Sequence, residues 1–238
     1  MGDAPRYKRI LIKISGESLA GEGGHGIDPA MVDFVCRQMK RLHEAGVEIG
    51  LVVGGGNIFR GFKASKSGMD RVTGDHMGML ATVINSLALR DDLEQMGVPS
   101  RVLSAIEMDS VCQRFVAGRA IAHLQKGRLV IMAGGTGNPF FTTDTAAALR
   151  AVEVGAQIIL KGTRVDGVYS ADPEIDARAV LFSEISYLDV LSKELRVMDA
   201  ASIALCKENN IPVLVFNLHI ENNLYRAGLG EKVGTLVH

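Results

Sequence analysis

RILIKIS (9–15) is rich in branched aliphatics and mostly apolar on both of its alternating faces, with Arg9 and Ser15 at its ends and one lysine, Lys13, inside. Such a strand belongs in a sheet covered on both sides, because a half-exposed strand alternates apolar with polar residues. Four more segments share this character: VEIGLVV (47–53), RLVIM (128–132), QIILK (157–161) and PVLVF (212–216). Helical stretches lie between them. Over 29–45 the apolar positions Val32, Val35, Met39 and Leu42 recur at helical spacing, Asp28 and Pro29 suit the cap and first turn, and Gly46 suits the stop. The segment 74–96 also reads as a helix, stopped by Gly97. Strands alternating with helices imply right-handed βαβ crossovers. The expected fold is α/β, a three-layer αβα sandwich around a largely parallel sheet. Residues 1–238 are expected to form one domain, since no repeat, low-complexity tract or Pro/Ser-rich linker divides them.

Composition narrows the function. With 238 residues, 47% of them hydrophobic, the chain has enough apolar material for a sizeable core. A formal net charge of -1 provides no overall basic field, so nucleic acid is not an expected partner. Cys36, Cys112 and Cys206 form no CxxC pair and stand in helix-like stretches, which suits small buried thiols in a reducing compartment. The N-terminal stretch has no long apolar core before a cleavage site, and Arg6 stands where a myristoylation signal needs Ser or Thr. No apolar run approaches membrane-spanning length. A soluble cytoplasmic protein is expected, with no membrane partner.

Glycine recurs where the strands end. Gly16 follows the first, Gly54, Gly55 and Gly56 the second, Gly134 and Gly135 follow RLVIM, and Gly162 comes just after QIILK. In a parallel sheet these ends share one edge, and ligands bind in the crevice outside it. Glycine lets backbone N–H groups approach a ligand, and the next helix presents its positive N-terminus, so the edge suits phosphate. Any one of these glycines also serves a plain tight turn; together along one edge they favour a site. No Gly-Lys dipeptide occurs, which removes the Walker A loop. GEGGHG (21–26) matches G-x-G-x-x-G, but it lies beyond the end of the first strand and leads into a separately capped helix, so it reads as a glycine-rich loop.

Charged residues sharpen the picture. Alternation along RILIKIS puts Leu11, Lys13 and Ser15 on one face, where an ammonium among apolar side chains is costly unless an anion neutralises it. A phosphate at the sheet edge supplies that anion; a lysine snorkelling to solvent is the bland alternative. Lys161 ends QIILK in the equivalent place. Two strand-end lysines on one crevice point to phosphoryl transfer, in which a protein mainly positions reactants and neutralises charge. Asp75, Asp144, Asp172 and Asp199 complete the set. Asp75 and Asp144 stand at expected helix starts, where an aspartate often only caps, and Asp172 precedes Pro173, as in a turn. Phosphoryl transfer also needs carboxylates, to hold lysines in register or bind ribose hydroxyls, while a divalent metal is held chiefly by the phosphates. GTGNPFFTTD (135–144) combines backbone freedom, hydroxyls, a carboxylate and two aromatics, Phe140 and Phe141, that either fill core or wall a flat base.

Taken together, KISGE (13–17), GGGNIFRG (54–61), GDHMGMLAT (74–82), GTGNPFFTTD (135–144) and VDGVYSADP (165–173) resemble the bacterial uridylate kinases of the amino acid kinase family, in order and over almost the whole chain. This resemblance implies transfer of the γ-phosphoryl group of ATP to UMP with Mg²⁺, giving UDP and ADP in pyrimidine nucleotide biosynthesis. It implies an N-terminal acceptor-binding lobe and a C-terminal ATP-binding lobe. Lys13, Ile14, Ser15 and Gly16 would meet the ATP phosphates, and Lys13 would stabilise the migrating group. Gly55, Asp75 and the run Thr136, Gly137, Asn138, Pro139, Phe140, Phe141, Thr142 and Thr143 would hold UMP, the two threonines and the helix N-terminus donating to its α-phosphate. Gly56 and Arg60 would sit at the junction with ATP, while Thr163, Tyr169 and Asp172 would frame its nucleoside. Asp144, Lys161 and Asp199 would organise the phosphoryl site, Asp144 orienting a lysine, with no residue assigned as a metal ligand. The resemblance also implies a homohexamer activated by GTP and inhibited by UTP, with Gly21, Glu22, Gly23, Gly24, His25 and Gly26 in the region linked to the GTP response. Two alternatives stand beside it: a carboxylate or carbamate kinase of the same fold, and a nucleotide-sensing regulatory subunit without turnover.

Overall fold

A computed structural model describes residues 5–21, 23–60, 68–173, 175–176, 178–195 and 197–238. Its strands are β1 (Arg9–Ile14), β2 (Glu48–Val53), β3 (Ser100–Ser104), β4 (Gln113–Arg114), β5 (Leu129–Ala133), β6 (Ile159–Thr163), β7 (Glu184–Ile185), β8 (Val213–Asn217) and β9 (Thr235–Val237). They form one sheet in the order β4-β3-β5-β2-β1-β6-β8-β9-β7. Every neighbouring pair is parallel except β8 and β9. The five apolar segments of the sequence are β5, β2, β1, β6 and β8, contiguous at its centre. The flanking β3, β4, β7 and β9 were not expected, because short edge strands take their conformation from the neighbour they pair with.

The helices are α1 (Pro29–Glu44), α2 (Arg71–Gln95), α3 (Ala117–Gln125), α4 (Thr143–Val154), α5 (Tyr187–Ser192), α6 (Ala200–Glu208) and α7 (Asn223–Leu229). They divide between the two faces of the sheet, as a three-layer sandwich requires. Ile10, Ile12 and Ile14 pack with Val35 and Met39 of α1, Leu89 and Leu93 of α2, and Leu224 of α7. Leu11 packs on the opposite side with Ala120 of α3, Ala147 and Ala151 of α4, and Ile203 of α6. Each fully buried aliphatic contributes about 1.5–3 kcal/mol. This parity places Lys13 on the α4 face. A one-residue slip of β1 would turn its ammonium into the α1 layer, so one residue helps to fix both register and site. Among the described residues, no helix is long and apolar enough to cross a membrane.

Several local expectations are corrected. Helix α2 begins three residues before the expected start, with Asp70 as its cap accepting from Thr73 N at 2.9 Å, so Asp75 lies inside the helix. Thr142, rather than Asp144, caps α4, its hydroxyl accepting from Asp144 N at 3.1 Å and Thr145 N at 3.2 Å. Gly162 is no turn residue: it sits within β6, paired with Ile14 and Phe216, where a Cβ would come 3.1 Å from Leu218 Cβ. Cys36 and Cys206 lie on helices, but Cys112 lies in the turn before β4; all three are free and buried.

Candidate active site

Turns after β1, β2 and β5 meet at the carboxyl edge of the sheet. They bound a cleft of about 570 Å³ lined by Lys13, Ser15, Gly54, Gly55, Gly56, Arg60, Asp75, Gly135, Thr136, Asn138, Phe141, Thr142 and Thr143. A second cleft, of about 600 Å³, opens beside β6 and contains Lys161, Thr163, Arg164, Tyr169, Asp172 and Val197. Lys13 and Lys161 are direct partners in the β1–β6 register, so one ammonium faces each cleft. Adjacent strands lie about 4.8 Å apart, and two like charges so close repel unless an anion separates them.

Asp144 is that anion. The first turn of α4 carries it over the two strand ends, where Lys13 Nζ lies 2.7 Å from Oδ1 and Lys161 Nζ donates to Oδ2 at 2.8 Å. Lys13 pairs with Oδ1 at the wall of the first cleft, where its ammonium can also meet an incoming anion. Lys161 also donates to the carbonyl of Val197. Burial acts to raise the Asp144 carboxyl, but the two ammonium groups outweigh it and hold the group below the usual carboxylate range. Burial, and after it the charge of Lys13, lowers Lys161 to about 8, with Asp144 offsetting part of the effect.

A proton linkage follows. A nucleotide phosphate beside Lys161 favours the ammonium and raises its pKa above about 8. Binding at pH 8 is therefore expected to take up protons, and affinity to weaken as pH rises through that value. Titration calorimetry with ATP in two buffers of different ionisation enthalpy checks this; a binding heat independent of the buffer would contradict it.

Asp199 supports the same corner from α6. It accepts from Ser202 N at 2.8 Å, Thr145 Oγ1 at 2.8 Å and the Thr142 hydroxyl. Burial acts to raise its carboxyl, but the hydrogen bonds from Thr142, Ser202 and Thr145 prevail and lower it. Asp199 thus ties α6 to the start of α4, one step from the lysines. Because the Thr142 hydroxyl donates to Asp199, Thr143 is the freer of the two hydroxyls in the first cleft.

The loop before α4 is held from α2. Asp75 Oδ2 accepts from Phe140 N at 2.7 Å, and Arg71 Nε lies 2.8 Å from both carboxylate oxygens. Phe140 has φ +72°, a left-handed conformation strained for a bulky residue, which the Asp75 bond holds in place. Neither aromatic is core: Phe140 is 64% and Phe141 54% exposed, and only Phe141 lines the cleft. Gly137, Pro139 and Phe140 shape the loop without lining that cleft, as Ile14 and Gly16 do beneath the strand end. Gly21, Gly23, Gly24, His25 and Gly26 line neither cleft. Glu22 and Gly61 lie outside the described residues.

Glu17, Thr145 and Val197 were not singled out in the sequence. Glu17 pairs with Arg60 and lies 3.6 Å from Arg164, joining the mouths of the two clefts. Its place in KISGE was the available signal; Thr145 and Val197 gave none, since their contacts are made across the fold.

Gly55 shows why the β2 turn needs glycine. A Cβ there would lie 2.6 Å from the Gly78 carbonyl and 2.8 Å from Ala81 Cβ, so the turn would have to lift off α2. Gly55→Ala is expected to raise the acceptor KM about tenfold or more through this displacement. Unchanged steady-state kinetics would contradict it.

A model of the amino acid kinase family matches residues 8–217. The solved structure of UMP kinase from Bacillus anthracis superposes with a TM-score of 0.94 at 38% identity, covering 98% of this chain and 96% of that one. UMP kinase from Ureaplasma parvum gives 0.92 at 40% identity, covering 98% and 99%. Uridylate kinase from Archaeoglobus fulgidus gives 0.74 at 25% identity, covering 96% and 99%. The family model spans residues 8–217 and the structural matches cover 96–98% of the chain, so the chain belongs to the amino acid kinase family.

Proposed function

We propose that this protein is a UMP kinase: it transfers the γ-phosphoryl group of ATP to UMP, giving UDP and ADP. The observation that carries this reading is the in-register pair Lys13 and Lys161, one in each cleft, joined by a single carboxylate. Phosphoryl transfer asks for this: two anionic reactants held end to end and a concentration of positive charge where the group migrates. The first cleft, built mainly from the N-terminal half, takes UMP, and the second, from the C-terminal half, takes ATP.

Thr136, Asn138, Phe141 and Thr143 hold the acceptor, with Gly55 and the N-terminus of α4 at its α-phosphate, while Asp75 fixes the loop that carries them. Thr163, Tyr169 and Asp172 frame the ATP nucleoside. Ser15, Gly56 and Arg60 lie at the junction. An α-phosphate oxygen of UMP attacks the γ-phosphorus, the bond from that phosphorus to the β–γ bridging oxygen breaks, and ADP leaves. Lys13 neutralises the equatorial oxygens of the migrating group; Lys161 stabilises the leaving phosphate; Asp144 keeps both ammonium groups in register, and Asp199 keeps α4 in place.

Mg²⁺ fits this donor set only through the nucleotide. Both oxygens of Asp144 face ammonium groups, and those of Asp199 accept from Thr142, Thr145 and Ser202. Among the described residues, no group of three His, Cys, Asp or Glu side chains is arranged to hold a metal ion. Bound through the phosphates, the metal would spread charge off the β- and γ-oxygens. The resemblance extends the proposal to a homohexamer in the cytoplasm with GTP as activator and UTP as inhibitor.

The test is ADP release measured with UMP, CMP, acetylglutamate and carbamate as acceptors, with UDP identified as the product and GTP present or absent. Preference for UMP supports the reading. Preference for acetylglutamate or carbamate replaces the acceptor, and tight nucleotide binding without turnover replaces the enzyme with a sensor.

A further inference from the structure

Behind the β2 turn, two asparagines are buried face to face. Asn57 is 3% exposed and Asn85, on α2, is 0%. Asn57 Nδ2 donates to Asn85 Oδ1 at 3.0 Å, and Asn85 Nδ2 donates back to Asn57 Oδ1 at 2.8 Å. The second N–H of Asn85 goes to the Gly54 carbonyl at 2.7 Å, and that of Asn57 to the Gly26 carbonyl at 2.7 Å. Gly26 N returns a bond to the Asn57 carbonyl at 2.9 Å. All four amide hydrogens are thus engaged in a place closed to solvent. A fully satisfied network in such surroundings holds one geometry, because every departure strands a polar group.

That geometry bears on the first cleft through the peptide bond. In a trans peptide the carbonyl and the following N–H point in opposite directions. With the Gly54 carbonyl drawn into the interior by Asn85, the N–H of Gly55 points away from the interior, on the side where Gly54, Gly55 and Gly56 line the cleft. Among the described residues, Gly55 N has no protein acceptor. The turn is pinned from the other side by Gly54 N donating to the Ile14 carbonyl at 3.0 Å. Nor is there spare room: a Cβ on Gly16 would lie 2.3 Å from Asn57 Oδ1 and 2.6 Å from the Gly54 carbonyl.

We infer that Asn85, braced by Asn57, is a positioning residue that aims the Gly55 N–H at a phosphate oxygen of the acceptor, and that Asn57 ties the loop ending at Gly26 to the same turn. The inference rests on the first cleft being the acceptor site. It explains why α2 carries a buried amide where an aliphatic would pack at lower cost.

Isosteric substitutions separate the two links. Asn85→Asp keeps the shape and the acceptor for Asn57 but removes the N–H groups given to Gly54 and to Asn57 Oδ1. Asn57→Asp removes the N–H groups given to Gly26 and to Asn85 Oδ1 but leaves the Asn85–Gly54 bond, the link that orients the Gly55 peptide. With Val47→Ala, just before the start of β2, as a stability control, Asn85→Asp is expected to lower kcat/KM for UMP on the order of tenfold or more, leaving KM for ATP unchanged. Asn57→Asp is expected to lose less. Wild-type kinetics in Asn85→Asp, or equal losses in the two variants, would overturn the inference. The Gly55 amide resonance gives a readout that does not need turnover. It should shift on titration with UMP in the unaltered chain and not in Asn85→Asp; a shift in both, or in neither, would also overturn it. Absence of UDP formation by the unaltered chain would count against the enzyme, while the resonance still decides the amide pair.

Discussion

Asp144→Asn is expected to lower kcat by roughly 10²–10³-fold while weakening UMP binding far less. The substitution preserves shape and removes the charge between Lys13 and Lys161. An asparagine accepts from one lysine through Oδ1 but turns an NH₂ toward the other, leaving two buried ammonium groups without the carboxylate between them. Lys161, already lowered to about 8 by burial and by Lys13, loses the carboxylate it is paired with, keeps only the weaker pull of Asp199 among the causes that raise it, and falls further. At neutral pH it is then partly deprotonated, and positive charge is missing where the phosphoryl group migrates. The sign follows: because the ammonium form of the variant survives only at lower pH, its residual kcat should rise as pH falls through the shifted value. Steady-state kinetics against pH provide the measurement, and a kcat close to wild type with an unshifted profile would refute the role. Breaking a buried pair also costs about 3–5 kcal/mol of stability, so the assay belongs below the lowered melting temperature.

Lys13→Ala is expected to lose about 3 kcal/mol or more of transition-state stabilisation, roughly a 10²-fold fall in kcat. Lys13 lines the first cleft beside Asp144, where its ammonium can meet the charge that develops during transfer. The loss should fall on kcat more than on either KM, since the stabilised charge is greatest in the transition state. Removing Lys13 also relieves its repulsion of Lys161, so the remaining lysine should titrate higher than in the unaltered chain. Wild-type turnover in Lys13→Ala would exclude electrostatic stabilisation by this residue. A rise in both KM values at constant kcat would reduce it to a binding group.

Much of this was legible before any coordinates. The five central strands announced themselves because strands buried on both faces are mostly apolar on both parities, and Lys13 and Lys161 stood out against that background. The site was legible where chemistry is local: a glycine-rich turn after a strand, or hydroxyls and a carboxylate at the start of a helix. Asp75 was found by its motif but misplaced by its neighbourhood, because the cap that starts α2 lies at Asp70. Its actual partner, the Phe140 amide, is 65 residues away. Phe140 and Phe141 were separable only by which of them lines the first cleft, and Asn85 was invisible as a functional residue, since one amide on a helix has no meaning until its partners are known.

Sequence by itself determined the layered α/β plan, the residue types at the sheet edge and the chemistry they favour, because burial and backbone conformation act on each residue where it stands. Tertiary structure alone decided that Lys13 and Lys161 are neighbours, that one carboxylate serves both, and that two asparagines hold the β2 turn. Strand order and register set those distances. They are fixed by packing the whole sheet at once, which no single stretch of chain records.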